Sequence, residues 1–289
     1  MRRTGIYAIS TTLGEAVQAF VPLPLPPSEP VLAPACFEAG NHAAELALAR
    51  LSGVSGLVPS VDWLLYGAVR KEALLTSQIE GTQATLDDPL DEEPGFALGN
   101  ADDVEEVTNY LRAFRLVQDN LRDPAGLPIS VRLLCDAHRL LLDGVRGSGK
   151  QPGELRRSQN WIGGTRPGNA AFVPPPAERV ADLLADVERF IHDDSVATPA
   201  LPPLVKIALV HAQFETIHPF LDGNGRIGRL LIPLYLVSHG LLAKPSLYLS
   251  DFFERNRASY YDALMRVRVA NDLIHWVRFF LQGITETAI

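Results

Sequence analysis

Apolar residues recur at helical spacing along most of the chain, and that recurrence predicts a succession of helices. Val104, Val107, Leu111, Phe114 and Val117 mark one helix over about 103–120, and Val131, Leu134, Ala137, Leu140 and Leu141 mark another over about 130–142. Val180, Leu183, Leu184, Val187 and Phe190 mark a third over about 176–191. Upstream, 41–51 reads as a helix. Ser60 is placed to cap a longer one, in which Val61, Leu64, Leu65, Ala68, Leu74 and Leu75 form a stripe that reaches Ile79. Two segments, Leu204 to Ile217 and Ile227 to Val237, are apolar almost all round, as helices that run through a core are. Pro233 lies within the second and is expected to bend it, since it cannot donate the interior hydrogen bond. Tyr260 and Tyr261 open a later helix, and Leu273 to Leu281 closes the domain with Trp276, Phe279 and Phe280.

The exceptions to this pattern are short. Residues 157–164 and 170–173 offer polar, aromatic and β-branched residues on either side of a glycine turn and read as one β-hairpin. The first residues read as a leader rather than part of a domain, and Val21 to Pro27 as an extended, proline-rich strap packed on its own domain. Residues 86–94, with repeated like charges and prolines, read as a solvent-facing linker that separates an N-terminal helical region, 1–100, from a core, 101–289. The expected architecture is all-α with one small hairpin.

Composition narrows the partners. With 289 residues, 47% of them hydrophobic, the chain can bury a substantial core. A formal net charge of −8 gives no support to general nucleic-acid binding. The N-terminus is a poor signal peptide and no run is long enough to span a bilayer, so no membrane role and a cytoplasmic location are expected. Cys36 and Cys135 lack metal-site spacing and fit a reducing compartment. Exposed apolar helix faces are compatible with a homodimer.

The candidate chemistry lies between the two most apolar segments, in His218-Pro219-Phe220-Leu221-Asp222-Gly223-Asn224-Gly225-Arg226-Ile227-Gly228-Arg229. The glycines permit a turn whose backbone N–H groups converge on an anion, with the donors at the start of the next helix behind them. Arg226 and Arg229, three apart, can both face the mouth of that turn and hold phosphate oxygens. Asp222 would repel a polyphosphate unless it holds Mg²⁺. A neutral His218 can accept a proton from an attacking hydroxyl, although a helix C-terminus by itself favours the charged ring. His211-x-x-x-Glu215 lacks metallopeptidase order, and the Gly144 to Lys150 stretch fails as a P-loop because Gln151 replaces the Ser or Thr and a helix precedes it. In the 157–173 hairpin, an extended peptide can add to the free edge by main-chain hydrogen bonds. A packing hairpin with Trp161 as core anchor is the alternative.

The twelve-residue stretch resembles the signature His-Pro-Phe-x-x-Gly-Asn-Gly-Arg-x-x-Arg of the Fic family, whose best-known members transfer AMP from ATP to protein hydroxyls. The resemblance implies a Fic-like helical domain around a helix-loop-helix active site, with ATP as substrate and a protein segment as acceptor. It implies His218 as general base and Asp222 as Mg²⁺ ligand. Gly223, Asn224, Gly225, Arg226, Ile227, Gly228 and Arg229 become the phosphate site, and Tyr261 an adenine-side contact, with Asn256 and Arg257 farther out. Gly144, Arg146 and Gly147, then Pro152, Gly153 and Arg156, match a further segment common in the family. Gln159, Asn160, Trp161, Ile162 and Gly163 correspond to the flap that aligns the target. Thr76, Glu80 and Gly81 match the inhibitory Ser/Thr-x-x-x-Glu-Gly/Asn pattern, here on a helix over about 60–81, in which Glu80 would pair with Arg229. Removal of AMP from a modified protein, and a nucleotide-sensing interaction module without catalysis, remain open beside the transferase.

Overall fold

The computed structural model describes residues 4–28, 32–57, 71–76, 79, 101–193, 201–247 and 249–288. Nine α-helices make up most of these residues: α1 (Glu38–Leu57), α2 (Ala101–Arg122), α3 (Val131–Leu141), α4 (Val180–His192), α5 (Pro203–Ile217), α6 (Asn224–Ser238), α7 (Leu249–Arg255), α8 (Arg257–Val269) and α9 (Leu273–Thr287). Residues 71–76 are also helical. The Ser60 start of the helix that carries them, the 86–94 linker, Glu80 and Gly81 lie outside the described residues.

The two all-apolar segments are the spine. Every residue of α5 from Leu204 to Ile217 is buried, and so is α6 from Asn224 to Leu236. Neither helix has a polar face, because the others close around them: the Trp276 indole of α9 donates to the Ala208 carbonyl at 2.7 Å, and a continuous apolar core draws on residues from Val21 to Ala288 on both sides of residue 100. Gly228 sets the approach of α6 to α5. A Cβ there would lie 2.3 Å from Glu215 Oε1 and 3.2 Å from Phe214 Cδ1.

The regular hairpin is not where the sequence placed it. The expected leader is a two-stranded antiparallel sheet, β1 (Gly5–Thr12) and β2 (Glu15–Pro22), joined at Leu13 and Gly14, both with positive φ, 50° and 78°. That is the backbone of a tight primed hairpin turn, and a Leu in its first position instead of Asn or Gly is what disguised it. The predicted 157–173 hairpin is reduced to a single antiparallel bridge, Ile162 with Phe172, across a 3₁₀ turn at Pro167–Asn169. Pro167 and the three prolines from Pro174 to Pro176 cannot donate to a longer ladder. β2 extends this ribbon instead, since the Phe20 N–H donates to the Val173 carbonyl at 2.9 Å. The strap after β2 packs on its own domain as expected, with Gln213 Nε2 donating to the Leu23 carbonyl at 2.8 Å.

Gly228→Ala should destabilise the fold by about 1–2 kcal/mol, because overpacking outweighs the helix-propensity gain. Urea unfolding measures it, and unchanged stability would show that Glu215 can swing away freely.

Candidate active site

His218 ends α5 in the left-handed conformation, φ 50° and ψ 62°, with its N–H on the Phe214 carbonyl at 2.9 Å. A non-glycine residue there carries a strain of about 1–3 kcal/mol and persists only where its surroundings hold it. Arg156 fixes it. This side chain is 2% exposed, and its Nε donates to the His218 carbonyl at 2.9 Å and its Nη2 to the carbonyls of Pro175 and Ile217. Its own N–H donates to the Pro219 carbonyl at 2.9 Å. One guanidinium thus satisfies the carbonyls of Ile217 and His218, while Arg268 takes that of Glu215, and it fixes the half-buried His218 at the end of α5. Burial draws Arg156 down to about 10 from 12.5, still charged at neutral pH.

The turn that follows is closed by its own side chains. Asn224 accepts from the Phe220 N–H at 2.8 Å and donates to the Phe220 carbonyl at 2.9 Å, while Asp222 Oδ1 accepts from the Gly223 N–H at 2.6 Å. Gly223 sits at φ 73°. Behind it stands His138 of α3, with its ring stacked on Phe220 at 3.8 Å. His138 Nδ1 accepts from the Gly153 N–H at 2.8 Å, so its other nitrogen carries the proton and donates to the Asp222 carbonyl at 3.0 Å. Burial pushes this ring down to about 4 from 6.5. It is neutral, and it ties the Asp222 turn to the 150–153 loop.

Arg226 and Arg229 are each 1% exposed. Arg226 Nη1 donates to Glu106 of α2 at 3.1 Å and Nη2 lies 3.8 Å from Asp222 Oδ1, while its Nε finds no acceptor. A buried donor left over beside a helix N-terminus suits an added oxygen anion. Arg229 instead reaches back to the 71–76 helix, with Nε donating to the Thr76 hydroxyl and Nη2 to the Thr76 carbonyl at 3.0 Å. That segment is anchored by Glu72, whose carboxylate accepts from the Ser250 hydroxyl and N–H, and by Lys71, 3.4 Å from Asp251. Burial raises Glu72 to about 7 from 4.5.

The remaining expectations fall into place unevenly. Asn224 spends its side chain on the turn, so it offers an anion only its backbone. Ile227 is fully buried with its N–H on the Gly223 carbonyl, and Gly228 lies against α5, so both have packing roles at the back of the turn. Tyr261 is 46% exposed, its ring 5.2 Å from that of Tyr260. In the flap, Gln159 donates to the Pro174 carbonyl and accepts from Ser10, Asn160 donates to the Phe220 carbonyl at 3.3 Å, and Trp161 packs on Val17, Ala19 and Val173. Ile162 pairs with Phe172, which leaves Gly163 and Gly164 exposed at the tip. Among the described residues no group of three or more His, Cys, Asp or Glu could hold a metal ion. The single carboxylate of Asp222, about a third exposed, fits a cation that takes its other ligands from phosphate and water. Glu80 and Gly81 lie outside the described residues. Sequence reasoning missed His138 and Glu106, whose only mark was a polar residue on a buried helical stripe. It noted Arg156 without giving it work.

A histidine held beside a helix N-terminus, with two buried guanidinium groups behind the turn, sets a proton acceptor next to a cluster of anion-binding groups in a mostly helical protein. Comparison gives it a family. Residues 128–236 match the Fic/DOC family and residues 40–119 the Fic/DOC family N-terminal region, nearly two thirds of the chain together, and the chain belongs to the Fic/DOC family. It is 30% identical over 174 residues to protein adenylyltransferase fic-1 of Caenorhabditis briggsae, covering 60% of this chain and 31% of that protein. It is 32% identical over 164 residues to protein adenylyltransferase Fic of Drosophila melanogaster, covering 56% of this chain and 29% of that one. The match therefore spans less than a third of the length of these curated relatives. A Fic family protein from Desulfovibrio desulfuricans shares the fold with a TM-score of 0.72 and 24% identity over 89% of this chain and 74% of that one. A fragment of C. elegans Fic-1 does so with a TM-score of 0.65 and 22% identity over 88% and 72%. Among the described residues, no helix is long and apolar enough to cross a membrane.

The buried titratable groups set a pH dependence. His211, held between the Gly228 carbonyl and the Tyr260 hydroxyl, is pushed by burial to about 3. His138 and His211, both depressed, contribute stability that is present above pH 6.5 and lost as pH falls. Glu72, raised, contributes stability present below pH 4.5 and lost as pH rises through 7. Between pH 4.5 and 6.5 the unfolded chain therefore gains two protons on the histidines against one retained by native Glu72. Unfolding free energy should fall by about 1.4 kcal/mol per pH unit of acidification in that window, and about twice as steeply in Glu72→Gln. Urea titrations at pH 6.5 and 5.0 check both slopes.

Proposed function

We propose that this chain is a protein adenylyltransferase, moving AMP from ATP to a Ser, Thr or Tyr hydroxyl of a protein, and that it is restrained by its own segment around Thr76 and Glu80. The names of the curated relatives support the activity. The observation that carries it is the placement of His218, fixed by Arg156 in a strained conformation beside the N-terminus of α6 and its buried arginines.

The chemistry follows from the residues. The backbone N–H groups of Asn224, Gly225 and Arg226 begin α6 and have no intrahelical acceptor, so they face the phosphates with the positive end of the helix behind them. Arg226 adds a guanidinium whose Nε is unspent, and Tyr261 stands on the adenine side. Asp222 would hold Mg²⁺, which when bound offsets phosphate charge. The flap, with its exposed Gly163 and Gly164, takes an extended target segment along its edge and sets the acceptor hydroxyl before His218. His218 accepts the hydroxyl proton as that oxygen bonds to the α-phosphorus and the bond to pyrophosphate breaks. Preorganised positive charge where the leaving group develops is the main source of acceleration.

Restraint rests on Arg229. Held by Thr76 on both its hydroxyl and its carbonyl, and by Glu80 on this reading, the guanidinium is diverted from a terminal phosphate. Glu80→Gly should raise self-directed AMP incorporation by an order of magnitude or more, and His218→Ala in that background should abolish it. Intact-mass measurement after incubation with ATP and Mg²⁺ reads out both. No rise in the first variant sinks the restraint, and full activity in the second sinks the mechanism.

The diversion of Arg229 also favours a second reading. A site whose third-phosphate arginine is engaged suits a ligand with one phosphate, so the resting protein would remove AMP from a modified target. AMP release from a pre-modified protein, faster in the parent chain than in Glu80→Gly, would select this direction.

A further inference from the structure

Glu106 is 3% exposed and faces two arginines at once. Its Oε2 accepts from Arg226 Nη1 at 3.1 Å, and its Oε1 lies 3.6 Å from Nε of Arg146 in the loop between α3 and the flap. The two guanidinium groups share one carboxylate but differ in exposure, because Arg226 is buried while Arg146 is about half exposed. The terminal nitrogens of Arg146 have no acceptor among the described residues. The same loop abuts the cradle: Gly147, at φ 92°, comes so close that a Cβ there would lie 2.9 Å from Asp222 Oδ2.

Charge gives this arrangement a purpose. Before any cation joins Asp222, Arg226, Glu106 and Asp222 alone carry a formal charge of −1, a poor host for a polyphosphate. With Arg146 the cluster is neutral, and Arg146 is its one solvent-facing cation. Arg229 cannot make up the deficit while Thr76 holds it. A long, solvated side chain has no reason to stay at this rim unless something holds it, and a buried carboxylate already committed to Arg226 supplies a fixed point.

We propose that Arg146 is a further polyphosphate contact of this site, and that Glu106 is the positioning residue that couples it to Arg226. The inference rests on the nucleotide-binding half of the proposed function and not on the direction of AMP transfer. An isolated surface ion pair would give neither group such a role.

Equilibrium binding of ATP and of adenosine, with Mg²⁺ present and in the Glu80→Gly background carrying His218→Ala to stop self-transfer, tests it without turnover. Arg146→Ala should weaken ATP binding by about tenfold, the scale of one charge-assisted hydrogen bond, and leave adenosine unchanged. Arg146→Lys should stay within about threefold of the parent, since it keeps the charge but not the fork. In Glu106→Gln, which keeps the side-chain shape, the further change Arg146→Ala should cost less than about twofold, because the two residues act as a unit. The KM for ATP, measured in Glu80→Gly with His218 intact, should follow the same order, with thermal melting of each variant as the folding control. Arg146→Ala binding ATP as tightly as the parent overturns the contact, and additive losses in the double variant overturn the coupling. If Glu106→Gln fails to fold, the alanine and lysine variants of the exposed arginine still decide the first point. Parent protein that binds ATP but transfers no AMP would sink the transferase reading and leave this one standing.

Discussion

The Arg156 guanidinium is the contact on which the site depends. It lies 62 residues from His218 in sequence and is nearly inaccessible to water, yet it binds the carbonyls that α5 leaves open and crosses to the flap through Ser158 and Pro175. Removing one partner of a buried, multiply bonded charge leaves several carbonyls unsatisfied at once. The strained His218 backbone, the exit toward Pro219 and the seat of the flap all draw on this one residue, the second through its main-chain N–H and the others through its side chain. The histidine is positioned by a network around its main chain.

A second constraint is the burial of α5 and α6 on all sides. Polar residues within them cannot turn to solvent, so each must be answered by a particular neighbour. His211 is answered by Gly228 and Tyr260, Gln213 by Leu23, Arg226 by Glu106 and Arg229 by Thr76. The N-terminal hairpin, the 71–76 segment and α2 are therefore more than decoration around a central pair of helices, because each brings the partner that one buried polar group needs.

Much of this was legible in the sequence. Periodicity placed the helices from α2 to α4 within a few residues, because amphipathic stripes against a core are local patterns; at the start of α3 the structure adds a cap, Ser130, which accepts from the Leu133 N–H. The all-apolar segments were legible as the spine, and the His218 to Arg229 stretch as the turn that joins them, with two arginines that the structure buries. The strand assignments failed for opposite reasons. In β1 and β2 the pattern was present but the turn residue was atypical. Around Ile162 the pattern promised a ladder that nearby prolines forbid. His138, Glu106 and the work of Arg156 were illegible because their partners lie 84, 120 and 62 residues away. A lone polar residue on a buried stripe gives no hint of what it will meet. Asn224, Ile227 and Gly228 show the converse limit, since adjacency in a motif does not give every member the same task.

The two arginines of α6 answer to different parts of the chain. Arg226 is tied to Glu106 within the helices that build the cradle, whereas Arg229, one turn further on, is tied to a segment 153 residues upstream. On the function proposed above, affinity for the ligand and the threshold for releasing the site fall to separate guanidinium groups. A lineage of such proteins would then retune its set point by changing the upstream segment alone, and inherit the ligand-holding apparatus intact.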